Sequence, residues 1–248
     1  MTVKIGLVGT GTVGGGCLDI LANHKEDFKR HFGVDLELVR VCSRNPEQAI
    51  EHGVEKIFTQ DYTEIINDPE IDIVVELIGG TGIAKQVILD ALNAGKHVVT
   101  ANKAVMASAG EEVLGLAREK ELEVAFEASV GGGIPIIRAL NSSLTADRID
   151  EVTGILNGTT NYMLTKMFFE SADYDEVLKE AQEKGYAERN PEADVEGHDA
   201  CRKIAILTSL IAGQHVDFET IHTEGITKIT TEDMKLSLIH ISEPTRPY

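Results

Sequence analysis

Residues 9 to 14 read Gly9-Thr10-Gly11-Thr12-Val13-Gly14, and the chemistry of a Gly-x-Gly-x-x-Gly turn is phosphate binding. The first glycine allows a tight turn, the second lets a pyrophosphate reach the backbone, and the third lets a helix pack on the preceding strand. Such a turn alone is a weak signal, and the bland alternative is a turn that only packs. Here it follows the strand-like Lys4 to Val8 and precedes a helical run with Leu18, Leu21 and Ala22, which is the context of a dinucleotide fingerprint. An acid about 20 residues beyond the glycines would bind the ribose of NAD. The second strand instead ends Val41-Cys42-Ser43-Arg44. Arg44 either forks onto a 2′-phosphate with help from Ser43, which favours NADP over NAD, or is a solvated loop arginine.

Lys103 follows Thr100-Ala101-Asn102 at the carboxyl end of another predicted strand, where open α/β sheets bind ligands. It suits an anion or a proton transfer, or is a surface lysine. The segment from Gly185 to Lys203 is the most polar stretch with chemical potential. Asp199 and Lys203 are i and i+4 on a helix predicted from about Asp194 to Ala212, with Ile204, Leu207 and Ile211 marking its buried side. The pair is either functional or a surface ion pair worth ~0.2–0.5 kcal/mol. An EF-hand is excluded because Val195 and Cys201 stand where the loop needs glycine and a bidentate glutamate. Neither a Gly-x-Ser-x-Gly elbow nor a P-loop is present, and the eight histidines form no zinc-ligand spacing.

Strands are predicted at Val3 to Val8, Leu36 to Cys42, Ile71 to Ile78, His97 to Thr100 and Glu123 to Glu127, with helical spacing between them. This alternation predicts βαβ units in a Rossmann-type doubly wound parallel sheet. A change of texture at Gly131-Gly132-Gly133-Ile134-Pro135 places a domain boundary near Ala128, with Pro135 suited to a first helical turn. The second part is read as α+β: a strand at Ile149 to Leu156, then helices at Thr160 to Phe169, Tyr174 to Lys184 and Asp194 to Ala212. Gly185 and Gly213 are placed as helix-ending glycines. The expected division is therefore 1–128, 129–235 and 236–248, the last a non-native tail because Leu236 to Tyr248 closes no element.

The chain has 248 residues and a formal charge of −18, with 42% hydrophobic residues, the balance of a folded globular protein. The acidic excess argues against nucleic acid and anionic membranes, so an anionic ligand must be met by local cations or backbone N–H groups. Cys17, Cys42 and Cys201 make neither a disulfide framework nor a metal motif, which fits a reducing cytoplasm. Apolar runs fall short of the ~20 residues that cross a bilayer, and the N-terminus lacks a signal peptide's apolar region.

Taken together, the Ile5 to Gly14 stretch, Gly95 to Ala104, Phe126-Glu127-Ala128-Ser129-Val130-Gly131-Gly132-Gly133-Ile134-Pro135-Ile136-Ile137, Gly154-Ile155-Leu156-Asn157-Gly158-Thr159-Thr160-Asn161-Tyr162 and the Gly185 to Lys203 segment resemble the homoserine dehydrogenase family over residues 3 to 234. The resemblance implies reversible, NAD(P)-dependent interconversion of L-aspartate 4-semialdehyde and L-homoserine, towards threonine, isoleucine and methionine. It also implies a nucleotide-binding domain, then a substrate-binding and dimerisation domain, in a homodimer or larger assembly. By motif, Lys203, Lys103 and Asp199 are the implied catalytic residues, with Glu188, Asp199 and both lysines at the substrate. The implied cofactor set is Gly9, Gly11, Thr12, Val13, Gly14, Ser43, Arg44, Thr100 and Lys103. Glu127, Val130, Gly132 and Ile134 resemble a structural sodium loop whose ligands are mainly backbone oxygens.

Two departures accompany the resemblance. Thr81-Gly82-Ile83-Ala84-Lys85 lacks the Glu-Pro-Ala that many members carry there, and family chains continue beyond Glu224 to Ile229 into further strands. A truncated catalytic region without a regulatory ACT domain is therefore expected. Two other readings compete: a nucleotide-binding fragment without turnover, and another amino-acid-pathway reductase. Of the latter, aspartate-semialdehyde dehydrogenase needs a nucleophilic cysteine, whereas Cys201 is read as packing.

Overall fold

The computed structural model describes residues 2–241. The chain divides into two compact units: the residues up to Asp147 together with Ser209–His215, and Arg148–Thr208 together with the residues from Val216 on.

The first unit begins with β1 (Thr2–Val8), α1 (Thr12–Asn23), α2 (Lys25–Phe32), β2 (Asp35–Cys42), α3 (Pro46–Glu51), β3 (Phe58–Thr59) and α4 (Thr63–Ile66). It continues through β4 (Ile73–Glu76), α5 (Ile83–Asn93), β5 (His97–Thr100), α6 (Lys103–Glu119) and β6 (Val124–Ala125). All neighbouring strands run parallel in the order β3-β2-β1-β4-β5-β6, the doubly wound arrangement expected. Strands covered on both faces read as apolar runs, and Leu7, Val41, Val74 and Val98 are buried accordingly. Helices α5 and α6 add Val87, Ile88, Leu92, Val105 and Val113.

Register sets where ligands can be met. Val8 pairs with Cys42 and Glu76, Cys42 with Thr59, and Glu76 with Thr100. Their carboxyl ends therefore form one row, and the strand order reverses between β1 and β4, the crevice where such sheets bind dinucleotides.

The second unit holds α7 (Gly158–Glu170), α8 (Tyr174–Glu183), α9 (Glu192–Val195), most of α10 (His198–Ala212) and α11 (Thr231–Ile241). Met163 and Met167 of α7 pack with Val177 and Ala181 of α8, Ala187 and Val195. Burying each such large side chain contributes about 1.5–3 kcal/mol. Ile226 and Ile229 close over this cluster, and the Ile226 N–H donates to the Val195 carbonyl at 2.7 Å.

Several elements differ from the sequence expectation. No strand forms at 149–156; a strand needs a ladder, and among the described residues the second unit offers no partner strand, leaving Ile155 78% exposed. The helix expected from Asp194 is two helices, because Gly197 turns left-handed (φ 82°) between α9 and α10. On α10, Leu207 is buried whereas Ile204 and Ile211 are half-buried, with Ala205 and Ile206 completing the inner face. The predicted 71–78 strand shortens to β4, and the predicted 123–127 strand shortens to β6. After β6 a 3-10 turn, Glu127–Ser129, takes over. The helical turn after Pro135 starts at Ile137 and continues as a π-turn, Ala139–Ser143. Gly185 and Gly213 are left-handed (φ 75° and 63°) after α8 and α10. The start of the segment read as a tail, through Ile241, is the end of α11; Ser242 to Tyr248 lie outside the described residues.

Candidate active site

Gly9 leaves β1 at φ 105°, and a Cβ there would lie 2.6 Å from the Leu77 carbonyl group. A Cβ on Gly14 would lie 1.9 Å from the Gly9 oxygen, so α1 starts directly against the turn. The Gly9 N–H donates to the Cys42 carbonyl at 2.8 Å, joining the ends of β1 and β2. Gly11 is the N-cap of α1, with no side-chain cap, no acid in the first turn and nothing within 4 Å of a Cβ position. Uncapped N–H groups, a positive dipole end and open backbone suit a phosphate group. Thr12 and Val13 stand exposed on that first turn.

Beyond β2, the Gln48 side chain of α3 gathers this region. Its Oε1 accepts from Thr10 Oγ1 at 2.6 Å and from Ser43 Oγ at 3.5 Å. Arg44 is exposed, and among the described residues its guanidinium has no partner; only its carbonyl is engaged, by Gln60 Nε2. The donor set of Ser43, Arg44 and the α1 terminus fits a phosphate-bearing dinucleotide.

The ends of β4 and β5 are braced by a residue that sequence reasoning missed. Glu76 is fully buried; its Oε2 accepts from Thr100 Oγ1 at 2.7 Å and its Oε1 from the Ile78 N–H at 2.7 Å. Thr100 Oγ1 in turn accepts from the Asn102 N–H at 2.9 Å. Asn102 caps α6 through the Val105 N–H, and its Nδ2 donates to the Gly80 carbonyl at 2.7 Å. Lys103 is thus the first residue of a capped helix, presented at the row of strand ends. The available signal was a carboxylate closing the apolar run Ile71 to Val75. In the departing 81–85 loop, α5 starts at Ile83 and Lys85 pairs with Glu112 at 2.6 Å.

Glu127 turns its carboxylate onto three consecutive N–H groups, of Ile136, Ile137 and Arg138, at 2.6, 3.0 and 2.8 Å. Burial alone would raise its pKa, but these N–H groups outweigh burial and hold it below the ordinary value. Its side chain is therefore committed, which leaves backbone oxygens as the means of holding a cation. Gly131 and Gly132 are left-handed (φ 81° and 59°), and the carbonyls of Val130, Gly132 and Ile134 accept no hydrogen bond from the described residues. This donor set fits a hard monovalent cation. The same contacts tie residues 136–138 to Glu127, so they stay with the first unit.

In the second unit, Asp199 is buried at 2% exposure, and its Oδ2 pairs with Lys203 Nζ at 2.6 Å. Lys203 Nζ also donates to the Leu156 carbonyl at 2.7 Å. Asn157, missed as a site residue, donates through Nδ2 to Asp194 Oδ1 at 2.7 Å and Asp199 Oδ2 at 2.9 Å. An ammonium has three N–H donors. Two are used here, and the third finds no partner among the described residues. Glu188 is not brought to this cluster: it is exposed in the loop after α8, where its carbonyl accepts from Gln182 Nε2. Cys201 is buried and its Sγ donates to the Phe218 carbonyl, which is packing.

The family described as homoserine dehydrogenase, NAD binding domain, matches residues 9–127, and the homoserine dehydrogenase family matches residues 135–240. A solved Archaeoglobus fulgidus protein assigned as a homoserine dehydrogenase superposes with a TM-score of 0.88 at 32% identity, over 96% of this chain and 77% of its own. The chain belongs to the homoserine dehydrogenase family. The homoserine dehydrogenase of Bacillus subtilis strain 168 is 45% identical over 236 residues, 95% of this chain and 54% of its own length. The chain thus spans about half the length of the curated relatives it matches. A hyperthermophilic archaeal homoserine dehydrogenase mutant, solved in complex with NADPH, has a TM-score of 0.82 at 28% identity, covering 95% of this chain and 76% of its own. No helix among the described residues is long and apolar enough to cross a membrane.

Proposed function

We propose that this chain carries the cofactor and proton-handling parts of an NADP-dependent homoserine dehydrogenase, which reduces L-aspartate 4-semialdehyde reversibly to L-homoserine. The observation that carries this reading is the buried Asp199–Lys203 pair, which holds an ammonium with one N–H uncommitted among the described residues. When bound, the cofactor supplies a hydride to the aldehyde carbon. Gly9, Gly11, Thr12, Val13 and Gly14 hold its pyrophosphate through the α1 terminus. Ser43 and Arg44 meet the 2′-phosphate, and Thr100 and Lys103 line the strand ends beyond. The NADPH complex of the archaeal relative supports the phosphate reading.

As charge grows on the aldehyde oxygen, a lysine is suited both to stabilise it and to protonate it. Lys203 takes that role, because Asp199 and the Leu156 carbonyl fix its direction. Lys103 gives electrostatic support and Asp199 orients Lys203, while Glu188, exposed apart from that pair, is the carboxylate left to meet the substrate ammonium. A sodium ion at the backbone oxygens of Glu127, Val130, Gly132 and Ile134 stiffens the loop after β6. The second unit builds substrate-binding and dimer contacts; the exposed Ile155 and Phe169 support burial against further protein. Three free cysteines support a reducing cytoplasm.

The test is homoserine-dependent reduction of NADP in the intact protein, followed by absorbance. Turnover with homoserine and none with simple alcohols is expected. NADP binding without any turnover would instead establish the nucleotide-binding reading.

A further inference from the structure

Asn157 precedes α7 and is only 7% exposed. Its Oδ1 accepts from the Thr160 N–H at 2.8 Å and from Thr160 Oγ1 at 3.0 Å. Those two donors decide which end of the amide faces α7, so the NH2 end is directed at Asp194 and Asp199. The oxygen of Asp199 that Asn157 contacts is the one that holds Lys203, and the preceding residue supplies the carbonyl that Lys203 also contacts. Residues 156 and 157 therefore grip both members of the ion pair, across more than 40 positions of sequence.

We propose that Asn157 is a positioning residue for Lys203: its amide fixes Asp199 and bridges it to Asp194, which sets the direction of the lysine ammonium. Two carboxylates facing each other repel unless donors stand between them. The neutral amide provides two N–H groups at once and adds no charge that would compete with Lys203 for Asp199. Serine or aspartate would serve the α7 cap about as well as asparagine, but neither can donate to both carboxylates. Capping alone therefore does not account for an amide at this position. The inference rests on the reading of Lys203 as the proton-handling residue, but its structural half stands separately.

The experiment uses Asn157→Asp and Asn157→Ser, both of which keep a capping oxygen. The first readout needs no activity: the 1H–15N signal of the Lys203 ammonium, assigned by its loss in Lys203→Arg. A sharp, slowly exchanging signal in the wild type that broadens or disappears in both variants is expected, with each variant still melting cooperatively at a lowered temperature. Should the aspartate variant fail to fold, the serine variant alone decides. In the intact protein, kcat should fall on the order of 10²-fold, as for a misplaced catalytic group, with the KM for NADPH unchanged. An ammonium signal identical to wild type would overturn the proposal and leave Asn157 as a cap. A responsive signal in a protein that does not turn over homoserine would uphold the positioning role and reject the enzyme reading.

Discussion

Arg44 follows β2 with its guanidinium uncommitted among the described residues, while Arg40 and Lys4 of the sheet are spent on Glu64 and Glu70 and Lys85 of α5 on Glu112. An exposed fork beside the glycine turn is available to a phosphate. Arg44→Ala should weaken NADPH binding by about 1.5–3 kcal/mol, the scale of a hydrogen bond to a charged group, and leave NADH unchanged. Titration calorimetry with both cofactors measures this, and equal loss for the two would remove the 2′-phosphate role. Arg44 and Lys103 were legible because each follows a strand end that local pattern reveals. Glu76, Gln48, Asn157 and Asp194 were not, because each matters through partners 24 to 42 positions away. Periodicity carries no information about such meetings. A carboxylate closing an apolar strand is the one local hint among them.

Element packing around the glycine turn is tight enough to make a sharp prediction. A methyl group on Gly14 would lie 1.9 Å from the Gly9 oxygen, and backbone cannot yield as a side chain does. Gly14→Ala should destabilise the chain by about 1–3 kcal/mol and abolish NADPH binding, seen by denaturation and calorimetry; full binding would mean the turn is only packing. A second element-level device joins α7 to α8. Glu180 accepts from Lys166, Lys184 and Tyr162, which hold its pKa down to about 2 from 4.5. A depressed carboxylate stabilises the fold above its unfolded pKa and loses that contribution as pH falls through the folded one. Stability should therefore decline between about pH 4.5 and 2. Glu180→Gln should flatten that part of a pH–melting curve, and an unchanged curve would show the cluster to be energetically idle. The long strands and helices were legible from their periods, whereas β3, with two residues, has no period to read. The strand expected at 149–156 shows the converse: β-branched composition without a neighbouring ladder makes no strand.

At the scale of the molecule, a chain of charge −18 must hold an anionic cofactor through local donors, because its far field repels one. The parallel sheet provides them by aligning five strand ends in one row, which delivers the α1 terminus, Ser43, Arg44 and the capped Lys103 to that edge. The second unit keeps its own polar centre, in which a buried carboxylate and a carbonyl converge on one ammonium and an amide donates to the carboxylate. Composition and alternation made the first arrangement legible. The second depends on α7, α8 and α9 meeting through a shared hydrophobic cluster, with α10 following α9 through the Gly197 turn, and only its i, i+4 pair was visible along the chain. The central claim is that this ammonium moves the proton, and Lys203→Ala in the intact protein tests it most directly. Homoserine-dependent NADPH formation should fall by roughly 10²-fold or more in kcat, the scale of a lost general acid, with NADPH affinity measured by calorimetry unchanged. Wild-type turnover in that variant would contradict the account and reduce Asp199–Lys203 to a structural ion pair.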